Sequence, residues 1–245
     1  MVTTKGIVIR EKSIGDNDKY LDILTEDLGV IEVRAKSSKK LTAKAFASCN
    51  IYTYSSFCLR EYKGKYYIDS TTPINSFFGI ATDIEKISLV VYFTDILKHT
   101  ATDREESAKV LKIFLHALHY LEHEKLPTEQ IKSVFEMLIM SAIGYEPNLG
   151  NCNTCDSQDT YFFSIEYACL YCKNCKPSNA MEISAPVVIA LRYIITSELN
   201  RAFMFRLKDK KHLESLALLT QKYVFYHLDM SFRSLDYYYQ IKSKG

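Results

Sequence analysis

CNTCDSQDTYFFSIEYACLYCKNC, running from Cys152 to Cys175, holds five of the seven cysteines of the chain in 24 residues. Cys152 and Cys155 form one CxxC pair, Cys172 and Cys175 form a second, and sixteen residues separate the two. That spacing is the one used by paired-knuckle zinc sites. Two thiolates at i and i+3 on a tight turn each reach one edge of a tetrahedron whose metal–sulfur bonds are about 2.3 Å long. A hairpin between the knuckles brings the second edge back. Thr160 to Tyr167 (TYFFSIEY) has the aromatic, β-prone composition such a hairpin needs. Four thiolates leave no open coordination position, so one structural zinc ion is expected, not a catalytic one. Cys169 forms a further CxxC with Cys172, which leaves a ligand set shifted by one knuckle open. Pairing Cys172 with Cys175 is preferred because Cys169 then falls on a hairpin strand.

Disulfides are the competing use of these residues. The cysteine count is odd and Met1 to Arg10 lacks the apolar core of a secretory leader, which favours a reducing cytoplasm. A redox CxxC normally sits in a βαβ setting, and two copies point to metal.

On the N-terminal side of the cysteines the pattern is helical from about residue 79. Ile84, Ile87, Leu89, Val91, Ile96 and Leu97 predict one helix. Asp103 and Arg104 open another, with Val110, Leu111, Phe114, Leu115, Leu118 and Leu121 as its apolar stripe. Pro127-Thr128 restarts the chain with Thr128 as N-cap candidate, and Gly144 and Pro147 end the third helix. His116, His119 and His123 share one helix face and read as ordinary exposed histidines, with no carboxylate partner pattern. Beyond the cysteines, Ser184 and Pro186 start a short helix over Val187 to Ile195. Leu213 to Phe232 predicts one long final helix, followed by the run Tyr237, Tyr238, Tyr239.

Residues 1–78 read as β structure. Lys5 to Arg10, Lys19 to Glu26, Val30 to Lys36, Cys49 to Tyr62 and Lys65 to Thr72 are five strand candidates, with turns at Gly29 and Lys63-Gly64. Five strands without an intervening helix predict a small closed barrel. The OB-fold, a frequent oligonucleotide binder, is the first expectation, and an SH3-like barrel fits the strand count nearly as well. The third strand runs into Arg34, Lys36, Lys39, Lys40 and Lys44, five cations in eleven residues without an acid. Interleaved with Ser37, Ser38 and Thr42, they suit phosphate contacts that read no sequence. Tyr52, Tyr54, Tyr66 and Tyr67 add rings on which bases can stack.

The fold class expected is therefore α+β and multi-domain. It comprises an N-terminal OB-fold barrel over 1–78, a helical domain over 79–148 and 179–245, and an inserted four-cysteine zinc module over 149–178. A net charge of +2 excludes a strongly basic nucleic-acid protein, so a polyanion site must be local; residues 1–78 carry 12 Lys+Arg against 9 Asp+Glu. No apolar run reaches the ~18 residues of a membrane span. No P-loop, dinucleotide fingerprint, HExxH, GxSxG or EF-hand pattern appears, so no enzyme is expected.

This order of parts resembles the RecO family of bacterial recombination mediators. The similarity runs through Gly6-Ile7-Val8, Gly15-Asp16-Asn17-Asp18-Lys19-Tyr20, Leu24-Thr25 and Gly29-Val30-Ile31. It continues in the basic segment from Ala35 to Lys40, and is most specific at Gly144-Tyr145-Glu146-Pro147-Asn148-Leu149 ahead of the CxxC pairs. Where that family often has Gly-Gly before the second knuckle, this chain has Ala168-Cys169, and its basic loop lacks the arginines many relatives carry. The resemblance implies binding of single- and double-stranded DNA, annealing of complementary strands, and loading of recombinase with RecR onto strands coated by single-stranded-DNA-binding protein. It also implies binding to the acidic tail of that coating protein and a cytoplasmic, nucleoid-associated location. Two other functions compete with it: a zinc-stabilised OB-fold adaptor that binds protein and not DNA, and a metal-dependent nucleic-acid enzyme.

Overall fold

β1 (Val2–Ile14), β2 (Asp18–Thr25), β3 (Val30–Ala35), β4 (Thr53–Tyr62) and β5 (Lys65–Ser76) close into a barrel in the order β1-β2-β3-β5-β4. The architecture is that of a computed structural model, which describes residues 1–14, 18–35, 43–101 and 106–243. β3 and β5 run parallel; the other neighbours are antiparallel. This is the OB-type barrel expected. Strict alternation in β2 and β3 sends Leu21, Ile23, Ile31 and Val33 inward, where they meet Val8, Phe57 and Leu59. Gly6 lies where β1 crosses β2: a Cβ there would stand 2.7 Å from both Ile23 Cγ2 and the Leu24 carbonyl. Lys63 and Gly64, both at positive φ (51° and 70°), make the two-residue turn that joins β4 to β5.

The fourth strand starts later than its composition implies. A short helix, α1 (Ala43–Ser48), precedes it, and the strand begins at Thr53. Tyr52 interrupts at φ 59°, its N–H on the Val8 carbonyl at 2.8 Å. Its ring is buried and its hydroxyl meets Thr94, and burial pushes the phenol up to about 12. Tyr52 is thus a packing residue and not a stacking surface. A 3₁₀ turn over Phe78–Thr82 leads into α2 (Ile84–Thr100), capped by Asp83, which accepts from the N–H groups of Glu85 and Lys86. α3 (Ser107–His123) follows; Asp103 and Arg104 lie outside the described residues.

The chain divides into two compact units. The first is Met1–Glu122 with Tyr237–Gly245, the second His123–Asp236. In the first, the Val30 N–H donates to the Ala101 carbonyl at 3.1 Å and the Ser107 hydroxyl donates to the Thr25 carbonyl. The expected final helix is two: α6 (Lys210–Leu228) and α7 (Arg233–Lys242). Asp229 in left-handed backbone (φ 50°) ends α6. The tyrosine run lies on α7, where Tyr238 is fully buried and Lys242 pairs with Glu85 at 3.0 Å.

The second unit packs α4 (Thr128–Ala142), α5 (Ala185–Thr196) and α6 against one another. Pro127, not Thr128, occupies the N-cap position of α4; its carbonyl accepts from the Gln130 and Ile131 N–H groups. Gly144, at φ 93°, follows the end of that helix. Ser184 caps α5 by backbone position, without a hydroxyl hydrogen bond. Among the described residues, no helix is long and apolar enough to cross a membrane.

An ion pair with both side chains at 0 % exposure lies at the α4–α6 contact. Lys132 Nζ donates to Glu136 Oε2 at 2.9 Å and to the Ala217 carbonyl at 3.0 Å, and Thr220 Oγ1 donates to the same carboxylate at 2.6 Å. Burial draws the ammonium below its usual range, and Glu136 opposes that shift. Lys132→Ala strands a buried carboxylate and should cost about 3–5 kcal/mol in urea unfolding, whereas Lys132→Met with Glu136→Leu should recover most of the loss. A double variant as unstable as the single would show that the pair itself, not its desolvation, carries the stability.

Candidate metal centre and nucleic-acid face

The cysteine stretch folds as its spacing predicts. β6 (Phe162–Ser164) and β7 (Cys169–Tyr171) form the hairpin, and β8 (Met181–Glu182) pairs with the other edge of β6. The first knuckle closes with the Asp156 N–H on the Cys152 carbonyl at 3.0 Å. The second closes with the N–H groups of Cys175 and Lys176 on the Cys172 carbonyl at 3.3 and 3.1 Å. Asn153 N–H reaches the Leu170 carbonyl at 3.0 Å, tying the first knuckle to the hairpin. Ala168 turns the hairpin at φ 52°, a backbone state that glycine adopts without steric cost.

The sulfurs of Cys152, Cys155, Cys172 and Cys175 all lie within 4.8 Å of one another, with Cys155 and Cys172 at 3.6 Å. A regular ZnS₄ tetrahedron with ~2.3 Å bonds has edges of about 3.8 Å. All seven cysteines are unbridged. Burial alone would raise the Cys152 thiol, but the backbone N–H groups of Cys172, Thr154 and Cys155 bring it down to about 6. Hydrogen bonding with the Cys155 and Cys172 sulfurs, then burial, pushes Cys175 up to about 12. The Cys152 thiolate therefore forms readily, while Cys155 and Cys175 resist ionisation. A cation at the centre would remove that resistance, so the donor set fits a soft metal ion. Cys169 stands on β7, 3 % exposed and packed with Cys152, Tyr171 and Cys172, outside the four-sulfur group.

The helices hold this module at several backbone atoms. Arg192 on α5 donates Nε to the Leu149 carbonyl at 2.7 Å and Nη2 to the Gly150 carbonyl at 2.9 Å. Tyr223 on α6 donates its hydroxyl to the Tyr145 carbonyl at 3.0 Å. His227 places Nε2 2.9 Å from the Ile165 carbonyl, so that nitrogen carries the proton, and its ring stands among Tyr145, Tyr223 and Tyr226. Burial lowers its pKa.

On the barrel, Arg34 faces outward. Its Nη2 and Nε lie 2.6 and 3.2 Å from Asp18 Oδ2, and its guanidinium stands 5.7 Å from the Tyr20 ring centre. Lys44 falls in α1 with its side chain outside the described residues, as Lys36, Lys39 and Lys40 are altogether. The strand register sets Lys12, Tyr20, Arg34 and Tyr67 side by side across β1, β2, β3 and β5. A cleft of about 170 Å³ opens on this face, lined by Tyr20, Glu32, Arg34, Lys65, Tyr66 and Tyr67. Sequence reasoning missed Tyr20 and Glu32. Period-two alternation marks both as outward-facing, but which cation or ring stands beside them depends on cross-strand register.

Family models for the N-terminal part of recombination protein O (residues 1–77) and its C-terminal part (residues 81–236) match this chain. The chain belongs to the RecO family. Relatives named DNA repair protein RecO include that of Acetivibrio thermocellus, 29 % identical over 96 % of this chain and 94 % of the relative. That of Caldicellulosiruptor saccharolyticus is 27 % identical over 98 % and 99 %, and that of Halalkalibacterium halodurans 28 % over 98 % and 95 %. Both halves of this RecO-family chain, the barrel and the cysteine-bearing helical part, fall within the matched residues.

Cys→Ser at Cys152, Cys155, Cys172 or Cys175 should lower bound metal and melting temperature together, because such binding is coupled to folding. Cys169→Ser should leave metal content intact. Elemental analysis paired with thermal melts checks both, and metal loss on the Cys169 change would move the ligand set by one knuckle.

Proposed function

We propose that this protein is a non-catalytic mediator of DNA repair and homologous recombination. It binds single- and double-stranded DNA, anneals complementary strands, and helps load recombinase together with RecR onto single strands coated by single-stranded-DNA-binding protein. Its place of action is the cytoplasm, on the nucleoid. The observation that carries this reading is the outer row Lys12, Tyr20, Arg34 and Tyr67, which alternates cations and rings across the barrel and leads at Arg34 into Lys36, Lys39, Lys40 and Lys44. Cations neutralise phosphates and rings stack on unpaired bases, the two contributions that sequence-tolerant single-strand binding combines. Membership of the RecO family and the names of the relatives support the same reading.

The ion held by Cys152, Cys155, Cys172 and Cys175 is zinc in this reading, since four thiolates on paired CxxC knuckles suit a closed, structural zinc site. Bound there it would lock the hairpin and the lead-in to the helical unit, and it would take no part in chemistry. The barrel over 1–78 acts as the nucleic-acid domain, and the helical parts over 79–148 and 179–245, with the module over 149–178, serve as scaffold and partner surface.

Single-strand affinity should fall with salt at a log–log slope of about −0.7 per phosphate contacted. Changing Lys36, Lys39 and Lys40 together to Glu should weaken binding of mixed-sequence strands by about tenfold or more and flatten that slope by about 2. Fluorescence anisotropy across a salt series measures both. Affinity and slope equal to the unaltered protein would remove the basic segment from the interface.

A further inference from the structure

We propose that the outer face of β2 and β3 reads bases: Glu32 accepts from the amino edge of an unpaired base, guanine above all, stacked on Tyr20. This rests on single-stranded DNA being the ligand of the barrel. Two adjoining rows of side chains make the face. Lys12, Tyr20, Arg34 and Tyr67 form the first, and Arg10, Asp22 and Glu32 the second. Clefts of about 170 and 200 Å³ flank them, and Tyr20 and Glu32 line both. Tyr20 and Glu32 are diagonal neighbours on paired strands, roughly 7–8 Å apart at the backbone, a span that a planar base resting on the ring can bridge.

The second row breaks a pairing rule. Asp22 and Glu32 are direct cross-strand partners, and like charges placed opposite each other destabilise a sheet. Arg10 compensates Asp22 at 3.6 Å. The Glu32 side chain is exposed and has no ion pair or hydrogen bond among the described residues. Departures from local consistency of this kind concentrate where function demands them.

A carboxylate is an acceptor only. Guanine offers it two adjacent donors, N1–H and the 2-amino group. Cytosine and adenine offer one amino group each, and thymine presents two carbonyl oxygens around a single N–H. Glu32 therefore favours guanine and disfavours thymine. Phosphates stay with the surrounding cations Arg10, Lys12, Arg34 and Lys65, which fix position without reading sequence.

The test uses the full chain and anisotropy with three strands of about 20 nucleotides, longer than the ~4–16 that one OB domain covers. One is oligothymidine, one carries guanine at every fourth position, and one carries inosine there, which keeps N1–H and lacks the 2-amino group. The guanine strand should bind about fivefold or more tighter than oligothymidine, with inosine between them. Glu32→Ala should bring all three to one affinity and melt no lower than the unaltered protein, since Asp22 loses a like-charged neighbour. Equal affinity of the unaltered protein for the three strands, or a guanine preference that survives Glu32→Ala, overturns base reading while DNA binding stands. Failure to bind any strand overturns the DNA-mediator reading and this one with it.

Discussion

Four sulfur atoms drawn to within 4.8 Å of one another impose the strongest local constraint in this chain. Thiolates at that distance repel, and thiols there gain little from burial. A cation at the centre would stabilise four thiolates as a set, and the grouping of the sulfurs could hold one. From this point the chain is held outward in both directions. Asn153 ties the first knuckle to the hairpin, and Arg192, Tyr223 and His227 tie the hairpin and its lead-in to α5 and α6. A hairpin of two three-residue strands has too little core to stand alone. The metal-fitting cluster and the helices supply what it lacks.

The barrel handles charge differently. Its outer face balances cations against acids: Arg10 against Asp22 and Arg34 against Asp18. Such partly exposed pairs add little stability. They do hold long side chains in place, and Arg34, paired with Asp18, is kept 5.7 Å from the centre of the Tyr20 ring. The excess positive charge lies in the adjoining basic segment, in keeping with a chain of net charge +2. In the helical unit, by contrast, Lys132, Glu136 and Thr220 are fully buried and satisfy one another at the α4–α6 contact. That network fixes which turn of α6 faces α4, a choice that apolar contacts alone leave loose.

Much of this was legible in the residues alone. The CxxC spacing named the four sulfurs, strand alternation in KYLDI and VIEVR named the barrel core, and Gly144 and Gly29 marked the ends of α4 and β2. These signals are local: they depend on spacing, period and the backbone freedom of glycine, which a chain carries wherever it folds. The errors were local readings overruled by distant contacts. Tyr52 looked like a stacking ring until Thr94 and the Val8 carbonyl claimed it, and Leu213 to Phe232 looked like one helix until Asp229 turned left-handed.

The sequence by itself determined the metal-fitting donor set, the β-then-helix order of the chain and its family, because each is written in residue types at short separations. Tertiary structure alone decided that Tyr20, Arg34 and Tyr67 share one row, that Glu32 stands opposite Asp22, and that Lys132 meets the Ala217 carbonyl. Those are facts of register and helix rotation. They follow from how whole faces pack, and residues tens of positions apart carry no mark of it in their own neighbourhoods.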